Sequence, residues 1–178
     1  MKRAVSQFDT SVTQAIIDLP NWMQPIFLGI TALGSPIVVL SIGVVIAIIG
    51  YLQTNLRLII SGGVIWATLI VSSLIKIIVA RERPLTEYAK NLIFDTNSFP
   101  SGHACGSMIT YGLLAYIAWT LLPQPFNIIV PVLLGALIVA IGISRIYLGA
   151  HFPSDVFGGW LLGLVTLCLI IFIMRPLA

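Results

Sequence analysis

Arg145, His151 and Asp155 fall within one short stretch, ISRIYLGAHFPSD, set between two long apolar runs. His151 and Asp155 are four residues apart, a spacing that stacks side chains on one face of a helix. Pro153 between them is a favoured first-turn residue, so a helix is expected to start there. A carboxylate held on one imidazole nitrogen fixes the tautomer and makes the other nitrogen more basic. Such a histidine is a nucleophile or a base. Arg145 adds a planar fork that suits phosphate oxygens. An oriented histidine beside a cation suggests phosphoryl chemistry.

A second cluster is Phe99-Pro-Ser-Gly-His-Ala-Cys105. Gly102 lets backbone approach a ligand closely. A helix is expected from about His103, so the N–H groups of Gly102 and His103 would form an anion site. Ser101 can cap that helix and also donate to a phosphate. Taken alone, His103 could be an ordinary interface histidine. The chain has 2 histidines, and both lie in these clusters, which favours catalysis. Upstream, Lys76 and Arg83 close an apolar run. Pro84 is expected to stop its helix just after Arg83. In a continuous helix Lys76 would lie about 10 Å below Arg83, and its long side chain could reach the interface. Lys76 reads either as snorkelling or as functional. Arg81 and Arg83 read, at their blandest, as interface anchors.

These residues need elements to hold them. The chain has 178 residues, 58% hydrophobic and 8% charged, with mean hydropathy +1.07. A soluble domain is about 25% charged, so the bilayer is the solvent. The expected fold is an all-α polytopic membrane bundle in a single domain. Residues 1–33 form an N-terminal interfacial segment, and residues 36–175 form a helical core carrying the clusters. Val12, Ile16, Ile17 and Leu19 against Asp9, Thr13, Gln14 and Asp18 suggest a short amphipathic helix ended by Pro20. Trp22, Met23, Ile26 and Phe27 are expected at the interface, and Gly34-Ser-Pro36 breaks the chain.

Five spans are expected, at about 36–52, 58–79, 103–122, 127–148 and 155–174; a sixth would need residues 12–33 to insert. Residues 84–100 form a polar loop. This layout brings Lys76, Arg83, His103, Arg145 and His151 to one membrane face. No signal-peptide core follows Met-Lys-Arg. The net charge of +3 comes from few, scattered residues and does not suggest nucleic acid. Cys105 and Cys168 are expected as buried small side chains, not as a disulfide or metal pair.

Three pieces in order now carry a resemblance. Lys76-(six residues)-Arg83-Pro84, then Pro100-Ser-Gly-His103, then Ser144-Arg145-(five residues)-His151-(three residues)-Asp155 resemble the three-part pattern of the phosphatidic acid phosphatase type 2 superfamily. That superfamily holds lipid phosphatases, pyrophosphatases and vanadium haloperoxidases. The resemblance covers about residues 20–175. Its membrane members commonly have six spans, and here the first is missing or reduced to residues 10–33.

The resemblance implies catalytic roles for His151 as nucleophile, Asp155 as its orienting carboxylate and His103 as acid and then base. It implies phosphate-binding roles for Lys76, Arg83, Ser101, Gly102 and Arg145. No metal and no cofactor are implied, and the sequence offers no carboxylate cluster suited to Mg²⁺. The expected partners are the membrane and a lipid phosphate substrate: phosphatidate, phosphatidylglycerophosphate or polyprenyl pyrophosphate. The alternatives are a vanadate-dependent peroxidase and a non-enzymatic or degenerate membrane protein of the same fold. A cell membrane is the expected location. Lys2, Arg3, Arg81 and Lys90 against Arg57 and Arg175 favour a cytoplasmic site by the positive-inside rule. Resemblance to bacterial members points to the outer face.

Overall fold

A computed structural model of the chain describes residues 6–91 and 97–174. Lys2, Arg3 and Arg175, used in the charge count above, lie outside the described residues.

The N-terminus folds as helix α1 (Gln7–Ile17), a 3-10 turn (Asn21–Met23) and α2 (Gln24–Leu33). Ser6 caps α1, its hydroxyl accepting from the Asp9 amide at 3.0 Å. At the break, Ser35 caps α3 (Pro36–Leu52), with Pro36 in its first turn. Residues 53–55 then turn into α4 (Leu56–Val79), capped by the Asn55 carboxamide. After a short α5 (Glu87–Lys90) come α6 (Gly102–Leu121), α7 (Phe126–Tyr147) and α8 (Pro153–Met174). The start of α8 at Pro153 is the one that the proline predicts.

Among the described residues five stretches are long and apolar enough to cross a membrane: Asn21–Leu52, which contains the break before α3, and helices α4, α6, α7 and α8. Residues 12–33 do not add a sixth. α1 stays separate, and α2 runs on through the break into α3. Outward-facing apolar side chains such as Ile37, Ile78, Val132 and Phe172 suit hydrocarbon.

α6 is the central helix and packs on α3, α4, α7 and α8. Cys105, Ile109 and Leu113 on it meet Val39, Ile65 and Ile170 in the main core. Helices in lipid gain little from the hydrophobic effect and rely on close approach at small residues. Gly159 and Gly163 of α8 supply this: a Cβ at Gly163 would sit 2.7 Å from the Cys105 carbonyl oxygen, and one at Gly159 would meet the Ser101 carbonyl. Gly159→Ala should therefore destabilise the protein by roughly 1–3 kcal/mol, measured by thermal unfolding in detergent. Gly135→Ala is the control, because open space surrounds that position, and it should leave stability unchanged or slightly raised.

Several expectations are corrected. α4 ends at Val79, not at Arg83, because Ala80 turns left-handed at φ 48° and closes the helix. Residues 81–86 run on without helix. Cys168 is exposed on α8, and only Cys105 is buried. Phe27 turns inward and packs on Tyr147 with ring centroids 4.5 Å apart. α1 keeps most of its expected pattern, with Ile16 packed on the core and Gln14 and Asp18 exposed, but departs from it at two positions. Asp9 is buried at 1% exposure, whereas Ile17 is 46% exposed.

Candidate active site

Four elements meet at one end of the bundle: the C-terminus of α4 with residues 81–86, the N-terminus of α6, the C-terminus of α7 and the N-terminus of α8. His151 lies in the five-residue link 148–152 between α7 and α8. Ala150 and His151 both donate their backbone N–H to the Arg145 carbonyl, at 3.0 and 3.2 Å, which curls the link tightly. Gly149 takes φ +67°, and a Cβ there would collide with Thr86. The collision is met from the other side by a bond, since the Thr86 hydroxyl donates to the Gly149 carbonyl at 3.0 Å.

The buried His151 ring has Arg83 on one edge. Arg83 Nη1 donates to the Ala150 carbonyl at 2.9 Å and lies 3.3 Å from His151 Nε2. A guanidinium can only donate, so Nε2 is the acceptor and the proton sits on Nδ1. Nδ1 faces Asp155 Oδ2 at 3.6 Å. That separation is too long for a hydrogen bond, and Nδ1 has no hydrogen-bond partner among the described residues. The expected pair is thus brought face to face without being bonded. Nor does one helix stack it, because His151 precedes the first residue of α8. The Phe152 N–H donates to Asp155 Oδ2 at 2.9 Å, folding the carboxylate back over the helix start. Burial, reinforced by the charges of Arg145, Lys76 and Arg83, pushes the His151 pKa well below its ordinary value. The neutral form of the ring is thereby favoured.

The remaining site residues surround this pair. Ser101 caps α6, accepting from the Ala104 amide at 3.4 Å. Its own amide donates to the Asp155 carbonyl at 2.9 Å, so the second and third motifs are tied through backbone. Gly102 opens α6 onto free space. His103, one residue on, feels the charges of Arg145, Arg83 and Lys76 and lies in electrostatic reach of His151. Arg145 is 2% exposed. Its Nη1 donates to Thr31 Oγ1 at 2.6 Å and to the Tyr88 hydroxyl at 3.3 Å, and its guanidinium lies 5.6 Å from the Tyr88 ring centre. Lys76 turns its ammonium to the carbonyls of Asn97, Ser98 and Pro100, at 3.0, 3.3 and 2.7 Å. All three of its N–H bonds are spent on the loop that leads into Ser101.

Two residues of this assembly escape a reading of the sequence. Arg81, taken above as an anchor, donates from Nη1 to Asp155 Oδ1 at 2.7 Å and from Nη2 to Asp9 Oδ2 at 2.7 Å. Asp9 also accepts from the Ser154 amide and hydroxyl, at 2.9 and 2.8 Å. Burial works to raise the Asp9 pKa, but the bonds from Arg81 and Ser154 outweigh it and hold it below its ordinary value. One signal was available. A carboxylate in so apolar a chain is costly to bury unless a cation meets it. Among the described residues no cluster of His, Cys, Asp or Glu is fit to hold a metal ion.

Comparison with known proteins extends this geometry. Residues 38–177 match the model of the PAP2 superfamily. Phosphatidylglycerophosphatase B of Bacillus subtilis (strain 168) is 31% identical over 175 residues, covering 94% of this chain and 83% of that protein. A solved transmembrane PAP2-type phosphatidylglycerolphosphate phosphatase from Bacillus subtilis superposes with a TM-score of 0.80. It is 27% identical, with 96% of this chain and 87% of that one covered. LpxE of Aquifex aeolicus superposes with a TM-score of 0.58 at 21% identity, covering 97% of this chain and 99% of that one, and shares the fold.

Proposed function

The chain belongs to the PAP2 superfamily, and from that premise we propose that it is an integral membrane phosphatase. In this reading it hydrolyses the phosphate monoester or pyrophosphate of a lipid through a phosphohistidine. The observation that carries the reading is the His151 ring, neutral and buried, with Nε2 turned to the Arg83 guanidinium.

The Nε2 lone pair attacks phosphorus in line while the bond to the leaving oxygen breaks. His103, protonated as the anionic phosphate binds among the cations, gives the leaving oxygen that proton, then takes one from the water that attacks phosphorus in the second step. The P–N bond breaks and phosphate leaves. On phosphorylation the imidazole becomes cationic, and Asp155 faces its Nδ1–H. Arg83 exchanges Nε2 for a phosphoryl oxygen. Arg145, the Ser101 hydroxyl and the first amides of α6 at Gly102 complete a cradle for the charge that develops on phosphorus. Lys76 contributes its field and holds the 97–100 backbone in place.

The site lies at the end of the bundle, and outward-facing apolar side chains surround its helices. Both features suit a substrate whose phosphate enters the site while its tails stay in hydrocarbon. The B. subtilis relative makes phosphatidylglycerophosphate the first substrate to try, beside phosphatidate and polyprenyl pyrophosphate. The test is phosphate release from each lipid in detergent micelles, with and without excess EDTA. Release should persist in EDTA, because Arg83, Arg145 and Lys76 supply the positive charge. Complete loss in EDTA with restoration by Mg²⁺ would refute this assignment of the charge.

A further inference from the structure

The helix that precedes all five spans reaches into the site through one side chain. We propose that Asp9 is a positioning residue for the reaction, acting through Arg81 on the Asp155 carboxylate that faces His151. The inference rests on the phosphohistidine reading above.

The geometry is specific. Asp9 and Asp155 are 1% and 0% exposed, and the Arg81 guanidinium lies between them at 2.7 Å from each. Ser154 closes the ring. Its hydroxyl accepts from Arg81 Nη1 at 2.6 Å and donates to Asp9 Oδ2 at 2.8 Å. The Phe152 ring lies 4.6 Å from the guanidinium carbon and covers it. Arg81 is thereby held on both forks and on one face.

The charges give this clamp a purpose. Were Asp155 the sole partner of Arg81, the two would cancel, and His151 would feel little of the carboxylate. A second buried carboxylate on the other fork shares the cation. The group Asp9–Arg81–Asp155 then carries a net negative charge beside an imidazole that turns cationic on phosphorylation. Opposite charge a few ångströms away favours the charged form. Asp9 also fixes the aim of Arg81, which without it could swing about its long side chain.

Asp9→Asn is near-isosteric and keeps an acceptor for the Ser154 amide; it removes the charge together with the acceptor that Arg81 Nη2 and the Ser154 hydroxyl use. Turnover of a lipid phosphate is measured per active site, with sites counted by the burst of phosphoenzyme formation. The expected result is a fall in kcat of about tenfold or more with KM within about twofold. Arg81→Gln removes the transmitter, and on that background Asp9→Asn should cost less than about twofold. Unchanged kcat per site in Asp9→Asn would overturn the proposal. So would a loss confined to the number of active sites, and so would a full additional loss on the Arg81→Gln background. In each of those cases His151→Ala, run in parallel, remains inactive and the phosphohistidine reading stands. Turnover persisting in His151→Ala would instead sink that reading and the positioning role together.

Discussion

His151→Ala should abolish turnover and leave an inserted, helical protein. In the proposed mechanism His151 is the nucleophile, a group for which the site holds no substitute. Arg83, Arg145 and the amides at the start of α6 would still bind a phosphate, but nothing would take it from its ester. Losing a nucleophile costs several powers of ten in rate. The side chain is buried at 3% exposure, so its removal leaves a small polar hole at the end of the bundle, outside the core around Ile109. Helical content and elution from a sizing column in detergent check that the fold survives. More than about a tenth of the wild-type rate would rule out His151 as nucleophile.

The second large effect separates the two histidines. His103→Ala should lose most turnover of a lipid substrate, since in the proposed mechanism both the leaving-group proton and the activated water depend on it. Attack on an ester with a good leaving group needs no proton, so this variant should still take up phosphate and then fail to release it. His151→Ala should take up none. Each variant is incubated with a labelled, activated phosphate ester and quenched in alkali, where phosphohistidine survives, before protein-bound label is counted. Equal alkali-stable label on the two variants would overturn the assignment, because the acceptor would then be a residue that both variants retain. Orthovanadate, which can take a five-coordinate form on Nε2, should inhibit the wild type.

Much of this was legible in the sequence because it depends on local rules. Pro153 and Ser101 announce helix starts, and each does so within its own turn of chain. The spans follow from apolar length alone. The convergence of Arg83, His103 and His151 follows from counting helices between them. What stayed hidden depends on partners far away in the chain. Asp9 meets Ser154 across 145 residues, and nothing in the local pattern of α1 says that its aspartate faces inward. Lys76 looked free to reach a phosphate because its loop carbonyl partners, 21 to 24 residues on, cannot be seen from spacing. The apolar run stops at Val79 in the sequence as in the structure. The break of the helix itself before Arg81 is not legible, because Ala80 adopts a left-handed backbone that alanine seldom takes and Pro84 is the first stop signal that the sequence shows.

The curled link between α7 and α8 behaves as a ruler. Its two ends are pinned: two amides close on the Arg145 carbonyl, Gly149 is wedged against Thr86, and Asp155 is folded back onto the Phe152 amide. No slack remains in which an extra residue could be absorbed. One insertion between Arg145 and Asp155 would rotate the imidazole away from Arg83 with every side chain of the site still present. The turns at 53–55 and 122–125 carry none of the site's residues, and a change of length there leaves its register intact. In this fold the count of residues in the link is as much a part of the reactive group as the histidine itself.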